Sequence, residues 1–144
     1  MPEKDTSQLE NELSETDNLK NFFEENKNNL RDFTLSEYLN YLLAEKNLSK
    51  TDIIKKSALG DYAYHIFAGR KNPSREKVLA LALAMELSFD ECQKLLYYAG
   101  VNKLYARDSW DDVIIYALKN KLGVEECNEL LSDFDEKPLL GDVN

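Results

Sequence analysis

Apolar positions recur along this chain at helical spacing, and no stretch alternates as a strand would between turns. Residues 1–16 are polar and acidic without a sustained apolar period, which predicts a disordered tail or a frayed helix. Leu19, Phe22, Phe23 and Leu30 then predict a short N-terminal amphipathic helix within residues 17–33. Thr34 or Ser36 can cap the next helix, and Glu37 follows Thr34 at capping-box spacing. Tyr38, Leu39, Leu42 and Leu43 fall on one face of that helix, which runs to about Lys46 before Asn47-Leu48-Ser49 breaks it. Ser49 caps a second helix with Ile53 and Ile54 inside and Lys50, Lys55 and Lys56 outside. Ala58-Leu59-Gly60 reads as a tight turn. Asp61 can cap a third, short helix with Ala63, Ile66 and Phe67 on one face and Tyr62, Tyr64 and His65 on the other. Gly69 supplies the left-handed residue that ends it, and Ser74 opens a fourth helix rich in Ala and Leu. The chain reads as all-α.

A repeat with a period of 35 residues runs through the second half. Leu87-Ser88-Phe89-Asp90-Glu91-Cys92-Gln93-Lys94-Leu95-Leu96 matches Leu122-Gly123-Val124-Glu125-Glu126-Cys127-Asn128-Glu129-Leu130-Leu131. Upstream, Val78, Leu79, Ala82 and Leu83 match Val113, Ile114, Ala117 and Leu118; downstream, Leu104 matches Leu139. Two copies are fewer than a solenoid needs, so the better reading is one helical hairpin used twice, the second stacked on the first. Cys92 and Cys127 then take equivalent helical positions, as buried thiols or, alternatively, as a reactive pair.

A chain of 144 residues with 43% hydrophobic and 31% charged content is sized for one domain, or one domain plus a tail. Its net charge of -9 speaks against a polyanion partner if the charge is even. It is not even. Residues 45–79 carry 8 basic and 4 acidic side chains, a net of +4, between flanks of -6 and -7. No apolar run approaches a membrane span, and the first residues lack a signal peptide's apolar core. Two cysteines make no disulfide framework, which predicts a cytoplasmic protein, and one histidine with dispersed thiols predicts no metal site.

The turn between two short helices, the Gly, the basic loop and the capped fourth helix make a helix-turn-helix layout. On Leu48-Ser49-Lys50, Ile66-Phe67-Ala68-Gly69-Arg70-Lys71-Asn72-Pro73-Ser74, and Ala80-Leu81-Ala82 with Leu87-Ser88, residues from about Leu35 to Leu96 resemble the Cro/C1-type, or XRE-type, helix-turn-helix regulators. The resemblance implies a lambda-repressor-like bundle over 34–100, and the repeat makes 101–144 a C-terminal helical extension copying the 75–105 hairpin. It implies a sequence-specific, DNA-binding transcriptional regulator acting on double-stranded DNA. Because one short recognition helix buries too little surface for specificity, a homodimer is expected. The third helix would enter the major groove, with Asp61, Tyr62, Tyr64 and His65 toward base edges. Lys50 would approach a phosphate, Arg70, Lys71 and Asn72 would grip backbone, Ser74 would offer its hydroxyl or N–H, and Arg75 and Lys77 would add charge.

The residues themselves leave a second class open. The third helix contains no Arg, Gln, Asn or Lys, and tyrosines serve equally well in cores and interfaces. A helix-turn-helix-derived protein interaction module that has dropped DNA fits the same pattern. For the DNA-binding dimer, Trp110, Val113, Ile114 and Tyr116 of the C-terminal hairpin are expected to extend the core or form the dimer face. An enzyme is not expected. No phosphate-binding Gly loop or nucleophile elbow is present, and no cofactor is implied; Asp111-Asp112 and Glu125-Glu126 read as solvated acids.

Overall fold

The computed structural model describes residues 4–27 and 33–141, and every regular element among them is a helix. Chain contacts divide the molecule into two units, Met1–Asp32 and Phe33–Asn144. The first holds α1 (Thr6–Glu15) and α2 (Leu19–Glu25). Where the sequence pattern predicts a disordered or frayed tail, α1 forms without burying any residue. Polar groups supply what an apolar stripe would. Asp5 and Gln8 close a capping box, and Lys4 pairs with Glu12 and donates to Asn26 Oδ1 at 2.8 Å. Asn26 Nδ2 returns a bond to Glu12 at 2.9 Å. The predicted amphipathic helix of 17–33 is shorter, ending at Glu25 with Phe22 buried; Leu30 lies outside the described residues.

The second unit contains α3 (Leu35–Glu45), α4 (Lys50–Ser57), α5 (Asp61–Phe67), α6 (Arg75–Ala84), α7 (Phe89–Ala99), α8 (Ser109–Lys119) and α9 (Val124–Asp133). The capping residues sit where local chemistry puts them: Thr34 with Glu37 and Ser88 with Glu91 close capping boxes, and Ser49 accepts from the Asp52 N–H. The core centres on α6, where every residue from Val78 to Ala84 is buried. Such a helix has no outer face. Its alternating alanines and leucines let α4, α7, α8 and α9 all pack against it.

The 35-residue repeat is carried down to individual hydrogen bonds. Glu86 and Lys121 each take positive φ (53° and 54°), and the next N–H returns to Ala82 and Ala117 respectively at 3.1 and 2.9 Å. Gln93 and Asn128 each accept the N–H of the buried leucine eleven residues on, Leu104 at 2.8 Å and Leu139 at 2.7 Å. Arg75 Nε donates to the Asn102 carbonyl and Trp110 Nε1 to the Lys137 carbonyl, both at 2.8 Å. Cys92 and Cys127 are fully buried at matching helical positions. Burial pushes their thiols up to about 12 and about 11. Alkylation of both by iodoacetamide is therefore expected to require unfolding. Labelling that is complete in native buffer, before urea opens the bundle, would contradict this.

One expectation reverses. Asp111 is not a solvated acid; it is 4% exposed and lies against Arg75. Among the proposed core-extension residues, Ile114 is fully buried, Trp110 and Val113 are half-buried, and Tyr116 is exposed.

Candidate nucleic-acid interface

The centre of this region is α5, seven residues long and too short to be stable alone. Its entry and exit are fixed by neighbours. Ser57 is buried at the end of α4, donating to the Ile54 carbonyl at 2.7 Å and accepting from the Leu59 N–H at 3.3 Å. Ala58 is left-handed (φ 62°), and Gly60 adopts φ 60°, ψ -145°, a conformation available in practice only to glycine. Gly60, not Asp61, is the N-cap; Asp61 stands in the first turn with its carboxylate exposed and makes no cap bond. At the exit, Asn40 on α3 donates to the Phe67 carbonyl at 2.9 Å, and Arg70 N–H donates to the His65 carbonyl at 2.9 Å.

Gly69 closes the helix at φ 78°, and a Cβ there would stand 3.0 Å from Ser36 Oγ on α3. Two costs coincide at one residue. Gly69→Ala is expected to destabilise the unit by about 1–2 kcal/mol in urea titration, from left-handed strain and the α3 contact together. Gly60→Ala meets no atom within 4 Å, so its cost is that of the backbone alone, a conformation closed to other residues.

The predicted site residues do not all come together. Ala63, Ile66 and Phe67 are buried against the core, as their spacing predicts. Tyr64 is 45% exposed, and Tyr62 and His65 are half-buried on the outer side. Three cations meet this helix. Lys50 at the start of α4 holds its ammonium 5.5 Å from the Phe67 ring centre. Lys77 on α6 stands 4.1 Å over the Tyr62 ring, and Arg70 Nε donates to His65 Nδ1 at 3.1 Å. That last bond requires a ring whose Nδ1 carries no proton. Lys71 and Asn72 are exposed in the following loop. Ser74 is the N-cap of α6 by backbone geometry, yet its exposed hydroxyl makes no cap hydrogen bond. Lys55 and Lys56 occupy the last turn of α4, where they complement its carbonyl end.

No family model, curated protein or solved structure matches the chain.

Two cations of the basic segment serve the fold. Arg75, read as extra charge for a phosphate, gives both terminal nitrogens to Asp111 at 3.1 and 2.8 Å, and donates to the Asn102 and Lys103 carbonyls. Lys46 pairs with Glu91 at 3.0 Å. Burial favours the protonated Glu91 carboxyl, but the Ser88 N–H and the Lys46 ammonium outweigh it and hold the group below its ordinary value. Its contribution to stability is therefore present above the unfolded carboxyl range and is lost as acid protonates it in the fold. Glu91→Gln should flatten that acid limb of the stability curve. Asn40, which braces the Phe67 carbonyl, has one visible signal in the sequence, an amide between the apolar positions Leu39 and Leu42.

Proposed function

We propose that the chain is a sequence-specific DNA-binding transcriptional regulator of the helix-turn-helix type, with α4 and α5 as the reading pair and a homodimer as the binding form. One observation carries the reading: Lys50, Arg70 and Lys77 all meet α5, with Lys71 beside them, around a helix whose outer side offers Tyr64 and His65. Cations flanking a short helix neutralise phosphates on either side of a groove that the helix enters. Asp61 adds an acceptor suited to the cytosine amino group, and the uncommitted Ser74 hydroxyl suits a phosphate oxygen. A dimer supplies the second half-site that so short a helix needs for specificity. A cytoplasmic location and the absence of enzymatic chemistry belong to the same proposal.

Selection of bound duplexes from random sequence, followed by anisotropy titration at several salt concentrations, tests it. A selected motif with two half-sites and a steep fall of affinity with salt supports the reading. No binding even at low salt sinks it.

The second reading is a helix-turn-helix-derived module that binds protein in place of DNA. It is favoured by the absence of Arg, Gln, Asn and Lys from α5 and by the use of Lys46 and Arg75 within the fold. A stoichiometric protein partner recovered by a chain without DNA affinity would select it.

A further inference from the structure

The last hairpin leaves a face open that its predecessor has covered. Between α8 and α9 runs a groove of about 600 Å³ lined by Asp112, Val113, Tyr116, Leu130, Phe134 and the flanking polar groups Ser109 and Glu136. Tyr116 is 55% exposed and Phe134 66%. Large apolar side chains grouped in this way mark contact surfaces.

The internal repeat says what shape of object belongs there. Thirty-five residues earlier stand Lys77, Val78, Leu81 and Leu95, of which the three apolar residues are fully buried. In that first hairpin α4 packs on α6, α3 packs on α7, and Lys77 reaches Tyr62 of α5. The α3–α7 seam is marked by the Lys46–Glu91 ion pair and by the Tyr38–Tyr98 ring contact at 4.8 Å. Leu95 lies between Glu91 and Tyr98 on that same face of α7. Among the described residues of this unit, no helix covers the corresponding face of the second hairpin, with Leu130 one turn beyond Glu126, to bury Tyr116 and Phe134.

Charge specifies the occupant further. Glu126 is the counterpart of Glu91, whose partner is a lysine, while Asp112 replaces Lys77 and so reverses the sign at its position. Asp112 and Glu136 give the groove an acidic border. Two copies meeting face to face across a two-fold axis would bring these carboxylates together, which disfavours self-pairing. We propose that the α8–α9 groove docks an amphipathic helix of a partner protein, with an apolar stripe bordered by lysines or arginines. The docked helix lays its stripe over Tyr116, Leu130 and Phe134, and its basic flanks meet Asp112, Glu126 and Glu136. This surface does not depend on DNA binding by α5.

The test uses the full chain and a labelled peptide of about 18 residues, helical in isolation, with leucines at three- and four-residue spacing and lysine flanks. Its twin carries glutamates in place of the lysines. Expected are amide shift changes in α8 and α9 with the lysine peptide, and affinity about tenfold weaker for the glutamate twin. Phe134→Glu with Tyr116→Glu should weaken binding by about thirtyfold or more while leaving the circular dichroism melt unchanged, because both residues are exposed. Equal binding of the two peptides, shift changes confined to another face, or no binding of the lysine peptide at millimolar concentration would each overturn the proposal. So would self-association abolished by the same two substitutions, since a second copy would then be the occupant.

Discussion

Replacing Asp111 with alanine is expected to destabilise the Phe33–Asn144 unit by about 3–5 kcal/mol, the range for stripping one partner from a buried ion pair. The carboxylate accepts both terminal nitrogens of Arg75 at 3.1 and 2.8 Å, and also the Tyr105 N–H at 2.9 Å. The guanidinium is further held by the Asn102 and Lys103 carbonyls at 2.8 and 3.1 Å and stands 5.8 Å from the Trp110 ring centre. Four structural pieces therefore converge on one pair: the start of α6, the loop after α7, the Tyr105 turn and the first turn of α8. Removing Asp111 leaves a guanidinium with 22% side-chain exposure and no counter-charge, and removing Arg75 leaves a carboxylate with 6%. Both losses greatly exceed that of an exposed pair, which is about 0–1 kcal/mol.

Urea denaturation of Asp111→Ala, Arg75→Ala and the double variant supplies the cycle. The two single losses should be strongly non-additive, because each removes the same interaction. Arg75→Met with Asp111→Leu should recover much of the stability, since an apolar pair carries no desolvation penalty. A loss below about 1 kcal/mol for Asp111→Ala would mean that the pair behaves as a surface one. Arg75→Lys separates this role from nucleic-acid contact. Lysine keeps the charge but not the fork, so stability should fall while DNA affinity, measured well below the melting transition, holds.

The second large effect is on binding. Lys50→Glu with Lys71→Glu should lower DNA affinity on the order of a hundredfold at about 0.1 M salt, from loss of two charge-assisted phosphate contacts. The slope of log affinity against log salt should flatten by about 2. Both residues are exposed, so the melting transition should stay within about 0.5 kcal/mol of the parent. Lys55→Glu with Lys56→Glu is the matched control: it makes the same charge change at the far end of α4. If the two pairs weaken binding equally, net charge alone governs affinity and α5 has no special place. If neither pair weakens it, the DNA reading fails.

The legible part of this molecule is the part whose physics is local. Capping oxygens at Thr34, Ser49 and Ser88 reach N–H groups three residues on, so their spacing is written in consecutive residues. The left-handed exit at Gly69 and the inward faces of α3, α4 and α5 follow from the same short range. Even the doubled hairpin shows in the sequence, because related side chains at equal offsets make related bonds: the Gln93 and Asn128 amides each accept the N–H of the leucine eleven residues on. The polar N-terminal stretch misleads for the complementary reason. Its helix rests on Lys4, Glu12 and Asn26, which carry no apolar period to detect.

The partner of each charge, by contrast, was decided by tertiary structure. Arg75 and Asp111 are 36 residues apart, and each alone has the composition of a solvated surface group; only the packing of α8 against α6 withdraws them from water together. The packing of α3 against α7 likewise makes Lys46 a tie between those two helices. From sequence, the cations of residues 45–79 look interchangeable. In the fold they divide into Lys46 and Arg75, paired within the bundle, Lys50, Arg70, Lys71 and Lys77 around α5, and Lys55 and Lys56 at the end of α4. That division is set by distances that appear only once the chain has folded.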